Sequence, residues 1–150
     1  MVHFLGADKS LEDLYQTRIL EFARDARKIN LLPKNDVRFI SKNPLCGDEV
    51  TIDLIINKDH IISQYGHRIR GCALCEASSG VLSKNVIGLD INKTIILKNK
   101  FKEWLDGKSN NVPILDLQNF SSVKAFKNRH KCVLLSFDAL TGASSKLLGN

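Results

Sequence analysis

No stretch of this 150-residue chain approaches the about 18 consecutive apolar residues that a membrane-spanning helix needs. Its opening, MVHFLGADKS, also lacks the charged-then-apolar pattern of a secretory leader. Both absences predict a cytoplasmic protein with no membrane segment. Aromatic residues are few, at 7% of the chain, and form no platform between the basic residues on which bases could stack. The net charge of +6 is therefore not the mark of a nucleic-acid binder. Arg18, Arg24, Lys28, Lys58, Lys84, Lys98, Lys102, Lys124 and Lys131 are spread along the chain, which predicts a solvated basic surface or one that docks an acidic protein partner. Internal repeats and low-complexity segments are absent as well. What is present, 43% hydrophobic and 25% charged residues, is the composition of one domain spanning residues 1–150.

Periodicity predicts an α+β fold. SLEDLYQTRILEFARDARKI repeats apolar residues at Leu11, Leu14, Tyr15, Ile19 and Phe22, so a helix is expected to start at a Ser10 cap and run to about Lys28. A connector with Pro33 and Asn35 leads to a short strand at Val37 to Ile40. In EVTIDLII the residues Val50, Ile52, Leu54 and Ile56 alternate as on one face of a strand, and NKDH turns into a further strand. CALCEASSGVLSKNVIG reads as a helix entered at Cys72 and stopped at Gly88. LDINKTIILKNKFKEWLDG reads as another, capped by Asp90, with Ile91, Ile95, Phe101, Trp104 and Leu105 offered to the core. A short helix is expected at Leu117 to Val123 and a last one beginning near Cys132.

Four cysteines at uneven spacing do not suggest a small disulfide framework, and in a reducing compartment free, catalytic or metal-bound thiols are the expectation. In NPLCGDEV, Gly47 permits the sharp path that brings Cys46 and Asp48 toward one centre. Cys72 and Cys132 both fall at expected helix starts, where free N–H groups favour thiolate. Cys46, Asp48, Cys72 and Cys132 thus make a four-ligand set of three thiolates and one carboxylate. Cys75, one turn into an apolar segment, is expected in the core. Cys72 and Cys75 also form a C-x-x-C pair, but the aromatic, proline and βαβ context of a redox enzyme is missing. His60, His67 and His130 are expected at the surface, with His130 kept as a possible ligand.

Three stretches resemble the iron-sulfur cluster assembly scaffolds of the NifU N-terminal, IscU and SufU family: NPLCGDEV, GCALCEASSGVL and RHKCVLLSFDAL, in that order. LEDLYQTRIL looks like the family's opening helix. Cys132 follows Cys72 by 60 positions, and Lys131 stands where the compact IscU type has a ligating histidine; both features look like SufU. The resemblance implies a small antiparallel sheet with helices packed on one side. It further implies that Cys46, Asp48, Cys72 and Cys132 hold zinc or an iron-sulfur cluster, and that persulfide sulfur arrives from a cysteine desulfurase and passes to downstream iron-sulfur assembly proteins. Cys46 and Cys132 are then the sulfur-acceptor candidates, with Asp48 as an exchangeable ligand and Cys72 as the more structural one. A non-enzymatic scaffold and a zinc-dependent sulfurtransferase are both compatible with this; a zinc-site structural or binding module that moves no sulfur is the rival reading.

Overall fold

A computed structural model describes residues 2–149 of the chain. The element order is α1 (Val2–Ala26), β1 (Val37–Asn43), β2 (Asp48–Ile56), β3 (Ile62–Arg70), α2 (Ala73–Asn85), α3 (Thr94–Leu105) and α4 (Lys127–Leu147). Short 3-10 turns lie at Ile91–Lys93 and Leu115–Ala125. The strands form one antiparallel sheet in the order β1-β2-β3. Register pairs Val37 with Leu54, Asn43 with Asp48, and Glu49 with Arg70. Strand side chains alternate between faces, so Phe39, Val50, Ile52, Leu54 and His67 share the face on which α4 and α2 pack. α1 covers α2 from outside, in a layer whose backbones nearly touch: a Cβ at Gly80 would meet the carbonyl oxygen of Phe22.

The scarce aromatics go to the core. Phe22, Phe101, Phe120 and Phe137 are among its largest fully buried side chains, with the Phe101 and Phe137 rings 5.0 Å apart. Each such side chain contributes on the order of 1.5–3 kcal/mol by leaving water. No helix among the described residues is long and apolar enough to cross a membrane.

Several expectations change in three dimensions. Helix α1 begins well before Ser10, because nothing in the preceding residues breaks it; Ile19, Phe22, Ala23 and Ala26 are buried, whereas Leu11 and Leu14 are exposed. Strand β1 runs three residues past Ile40 to reach the turn before Asp48. The second face of β2 is not polar surface: Thr51 and Asp53 are buried there. The connector after α1 folds over them, with the Leu32 N–H donating to Asp53 Oδ2 at 2.9 Å and Arg38 donating to both oxygens at 2.7 and 2.8 Å. Gly66 admits this connector, since a Cβ there would lie 2.6 Å from the Asn30 oxygen. His67 is buried rather than exposed. Its Nε2 lies 2.8 Å from the Ala26 carbonyl and its Nδ1 2.6 Å from the Tyr65 hydroxyl; the carbonyl can only accept, so the ring donates there and accepts from tyrosine.

Asp90 caps the 3-10 turn Ile91–Lys93, accepting from the Asn92 N–H at 2.9 Å, rather than α3 itself, which is entered at Lys93 without a side-chain cap. The phase of α3 turns Ile95 outward while Phe101, Trp104 and Leu105 are buried. The displacement that matters for the site is at α4, which starts at Lys127, five residues ahead of Cys132.

Candidate metal centre

Antiparallel pairing places the β1–β2 turn and the exit of β3 at the same end of the sheet. Residues Pro44 to Gly47 make that turn. The Asn43 side chain accepts from the Leu45 N–H at 3.2 Å, the Gly47 N–H donates to the Asn43 carbonyl at 2.9 Å, and Gly47 adopts φ +75°. Such a φ is costly for any residue with a Cβ other than asparagine or aspartate, so glycine is what lets Cys46 and Asp48 emerge on either side of one bend. Cys46 is exposed and Asp48 is buried.

Beyond β3, Gly71 leads to Cys72, which caps α2 with extended backbone angles, as expected for a helix start. Asp48 ties the two segments together. Its Oδ1 accepts from the Cys72 N–H at 3.1 Å and its Oδ2 lies 3.7 Å from Cys72 Sγ. A Cβ at Gly71 would sit 2.7 Å from Asp48 Oδ1, so a side chain there would have to displace the carboxylate.

Cys132 comes from the second turn of α4, not from its N-terminus, so the free N–H groups of a helix start do not explain its chemistry. Its thiol is mostly buried, and burial, then the charges of Cys72 and Cys46, push its pKa upward. Ligand atoms of Cys46, Asp48 and Cys132 all lie within 4.8 Å of one another. Crowded anions of this kind repel each other in a part-buried site; a divalent cation among them would attract each one and outweigh that repulsion. Two sulfurs and one carboxylate at this spacing suit a thiophilic metal; Cys72 stands outside that group of three, with its Sγ against Asp48 Oδ2. The groups line an open cleft of about 620 Å³, which Arg70, Leu74 and Arg129 also line.

Cys75 is fully buried in the core as expected, and burial pushes its thiol strongly upward, the opposite of what the attacking member of a redox pair needs. His130 is buried rather than superficial. Its Nε2 is 3.1 Å from the Lys124 carbonyl and its Nδ1 is 3.4 Å from an Asp106 oxygen, so both ring nitrogens are engaged away from the cysteines. Sequence reasoning overlooked Arg129. It stands three residues before Cys132 and so on the same helix face, a relation visible only once α4 is known to start at Lys127.

The profile of the family described as NifU-like N terminal domain matches residues 14–133. The chain belongs to this NifU-like family. It is similar to the zinc-dependent sulfurtransferase SufU of Bacillus subtilis, with 26% identity over 95% of this chain and 97% of SufU. It is similar to the iron-sulfur cluster assembly scaffold protein IscU of Thermotoga maritima, with 25% identity over 89% of this chain and 94% of IscU. The crystal structure of the N-terminal part of a nitrogen-fixing NifU-like protein from Brucella abortus superposes with a TM-score of 0.82 at 30% identity, covering 93% of this chain and 97% of that one. The three-stranded antiparallel sheet with helices packed on it is thus the fold of the NifU-like family.

Proposed function

We propose that this chain is an iron-sulfur cluster assembly scaffold that accepts persulfide sulfur from a cysteine desulfurase at a centre held by Cys46, Asp48, Cys72 and Cys132. The convergence of Cys46, Asp48 and Cys132 within 4.8 Å, with Cys72 against Asp48, carries this reading. The open cleft favours exchange over a closed structural site, as does a carboxylate in place of a fourth thiol or an imidazole. The similarity to SufU and IscU supports both a zinc centre and a nascent cluster as cargo.

Zinc held by these four residues would supply the positive charge that keeps the thiols deprotonated at neutral pH. Cys46 and Cys72 are both exposed; Cys72 is held against Asp48, which leaves Cys46, out on its turn, as the thiol we assign to first contact with a partner. Its thiolate attacks the terminal sulfur of the donor's persulfide; the donor's S–S bond breaks, the electron pair leaves with the donor cysteine as thiolate, and Cys46 carries the persulfide away. Cys132, shielded by burial, is placed to receive sulfur second or to hold a forming cluster. Asp48 is the harder and more exchangeable donor of the set, so of the residues that would hold the metal it is the one that would give way to incoming sulfur or a partner group. The cluster then passes to downstream iron-sulfur assembly proteins.

The test is to incubate the protein with desulfurase and cysteine and to measure protein-bound sulfane sulfur. Uptake that depends on Cys46 is expected. No uptake would leave a zinc-site structural module as the reading. Metal analysis after anaerobic purification separates zinc from cluster.

A further inference from the structure

The basic residues that are dispersed in sequence are gathered by the fold. Lys98, Lys102 and Lys108 from α3 and its exit meet Lys127 and Lys131 of α4 around a cleft of about 510 Å³, floored by Leu134. Five lysines face only two aspartates there, Asp106 and Asp138. Lys98 pairs with Asp138 at 2.9 Å and Asp106 is engaged by His130, so Lys102, Lys108, Lys127 and Lys131 have no carboxylate partner among the described residues. Lys98 and Lys102, like Lys127 and Lys131, are four residues apart on their helices, a spacing at which like charges repel and destabilise the helix. Two such pairs facing one concave surface cost folding stability, and together they focus positive potential on the cleft.

The position of the cleft indicates its use. Lys131 immediately precedes Cys132, about 100° round the same turn of α4, so the lysine cleft and the metal centre open on adjacent sides of one helix. We infer that this cleft docks an acidic segment of the sulfur-donating protein and so aligns its persulfide with Cys46 and Cys132. The inference rests on the sulfur-acceptor reading above. The cleft is sized for a few side chains rather than for a folded domain, and its lysine rim over a leucine floor matches aspartate or glutamate side chains flanking a small apolar one.

The experiment uses the full metal-loaded chain with the double substitution Lys102→Glu/Lys127→Glu, and Lys102→Arg/Lys127→Arg as the charge-conserving control. The dissociation constant for the desulfurase is measured at low and high salt. Charge reversal is expected to weaken binding about tenfold or more and to flatten its salt dependence, with the arginine variant close to the parent. Metal content and sulfur uptake from a small-molecule persulfide should stay at parent values, and the melting temperature should not fall, because each reversal turns a like-charge pair into an opposite-charge one. An unchanged dissociation constant overturns the inference, and loss of inorganic phosphate binding in its place would assign the cleft to a phosphorylated small molecule. Failure of the parent protein to take sulfur from the desulfurase is a separate result, and it overturns the acceptor reading itself.

Discussion

Asp48 grips Cys72 by the backbone: its Oδ1 accepts the Cys72 N–H at 3.1 Å while its Oδ2 faces the thiol at 3.7 Å. One carboxylate therefore fixes the start of α2 and offers an oxygen to the centre. In Asp48→Ala three thiols remain, so the fold and much of the bound metal should persist, with a stability loss of about 1–3 kcal/mol from the abandoned N–H. Sulfur transfer should slow more than metal content falls. Metal per chain and the initial rate of sulfur uptake, measured in parallel with the parent, decide the matter. Parent values for both would reduce Asp48 to a turn residue.

Gly71→Ala tests the same contact from its other side. The new Cβ would press on Asp48 Oδ1 at 2.7 Å, so the carboxylate must shift, at a cost of about 1–3 kcal/mol typical of overpacking. Metal content should drop with it. In an Asp48→Ala background the clash has no target, and the same glycine substitution should then cost much less. Equal costs in both backgrounds, read by denaturant unfolding, would disprove the steric coupling.

Among the cysteines, Cys46→Ser, Cys72→Ser and Cys132→Ser should each sharply lower bound metal. Cys75→Ser should spare the metal yet destabilise the fold by about 1–3 kcal/mol, because it replaces a fully buried thiol by a hydroxyl that is costlier to keep from water. Metal analysis and melting curves on the four variants separate the two behaviours. Metal loss in Cys75→Ser equal to the others would show that the ligand set is misassigned.

His67 makes stability depend on pH. Burial lowers its pKa below the ordinary histidine value, against a smaller opposing effect from the Ala26 carbonyl. The unfolded chain therefore binds a proton that the folded chain refuses. Stability is lost as pH falls below about 6.5, by up to 1.36 kcal/mol per pH unit, until the folded-state pKa is passed. In metal-free protein, His67→Gln should lower stability at neutral pH but flatten that slope between pH about 6.5 and 5. Parallel unfolding curves for parent and variant across this range would refute it.

How much of this was legible in the sequence depends on distance along the chain. The Cys46-Gly47-Asp48 bend and the entry to α2 at Cys72 are local, set by a positive-φ glycine and by a strand handing over to an Ala-Ser-Leu segment, and both read correctly. The start of α4 did not, because FKNRH carries no side-chain cap and its cations resemble a solvated loop. The burial of His67 is imposed by the carbonyl at the end of α1, and that of His130 by the end of α3 and the turn at Lys124, partners that no local pattern reveals. The lysine cleft escaped for the same reason: its members are scattered from Lys98 to Lys131 and meet only when α3 lies against α4.

The fold brings Cys46, on a turn, and Cys132, on a helix, within 4.8 Å at their ligand atoms, so a metal held by both would join positions 86 apart in the chain. Closing so long a loop costs chain entropy, and the packing of α4 against β1, β2, α2 and α3 holds it closed without any metal. During synthesis the chain is made from its N-terminus, so the hairpin and α2 exist before α4 does. The half-built site offers Cys46, Asp48 and Cys72 but lacks the wall that Cys132 supplies. A metal that needs Cys132 as a ligand would therefore bind tightly only after α4 has emerged and docked, and its presence would report that the core is complete.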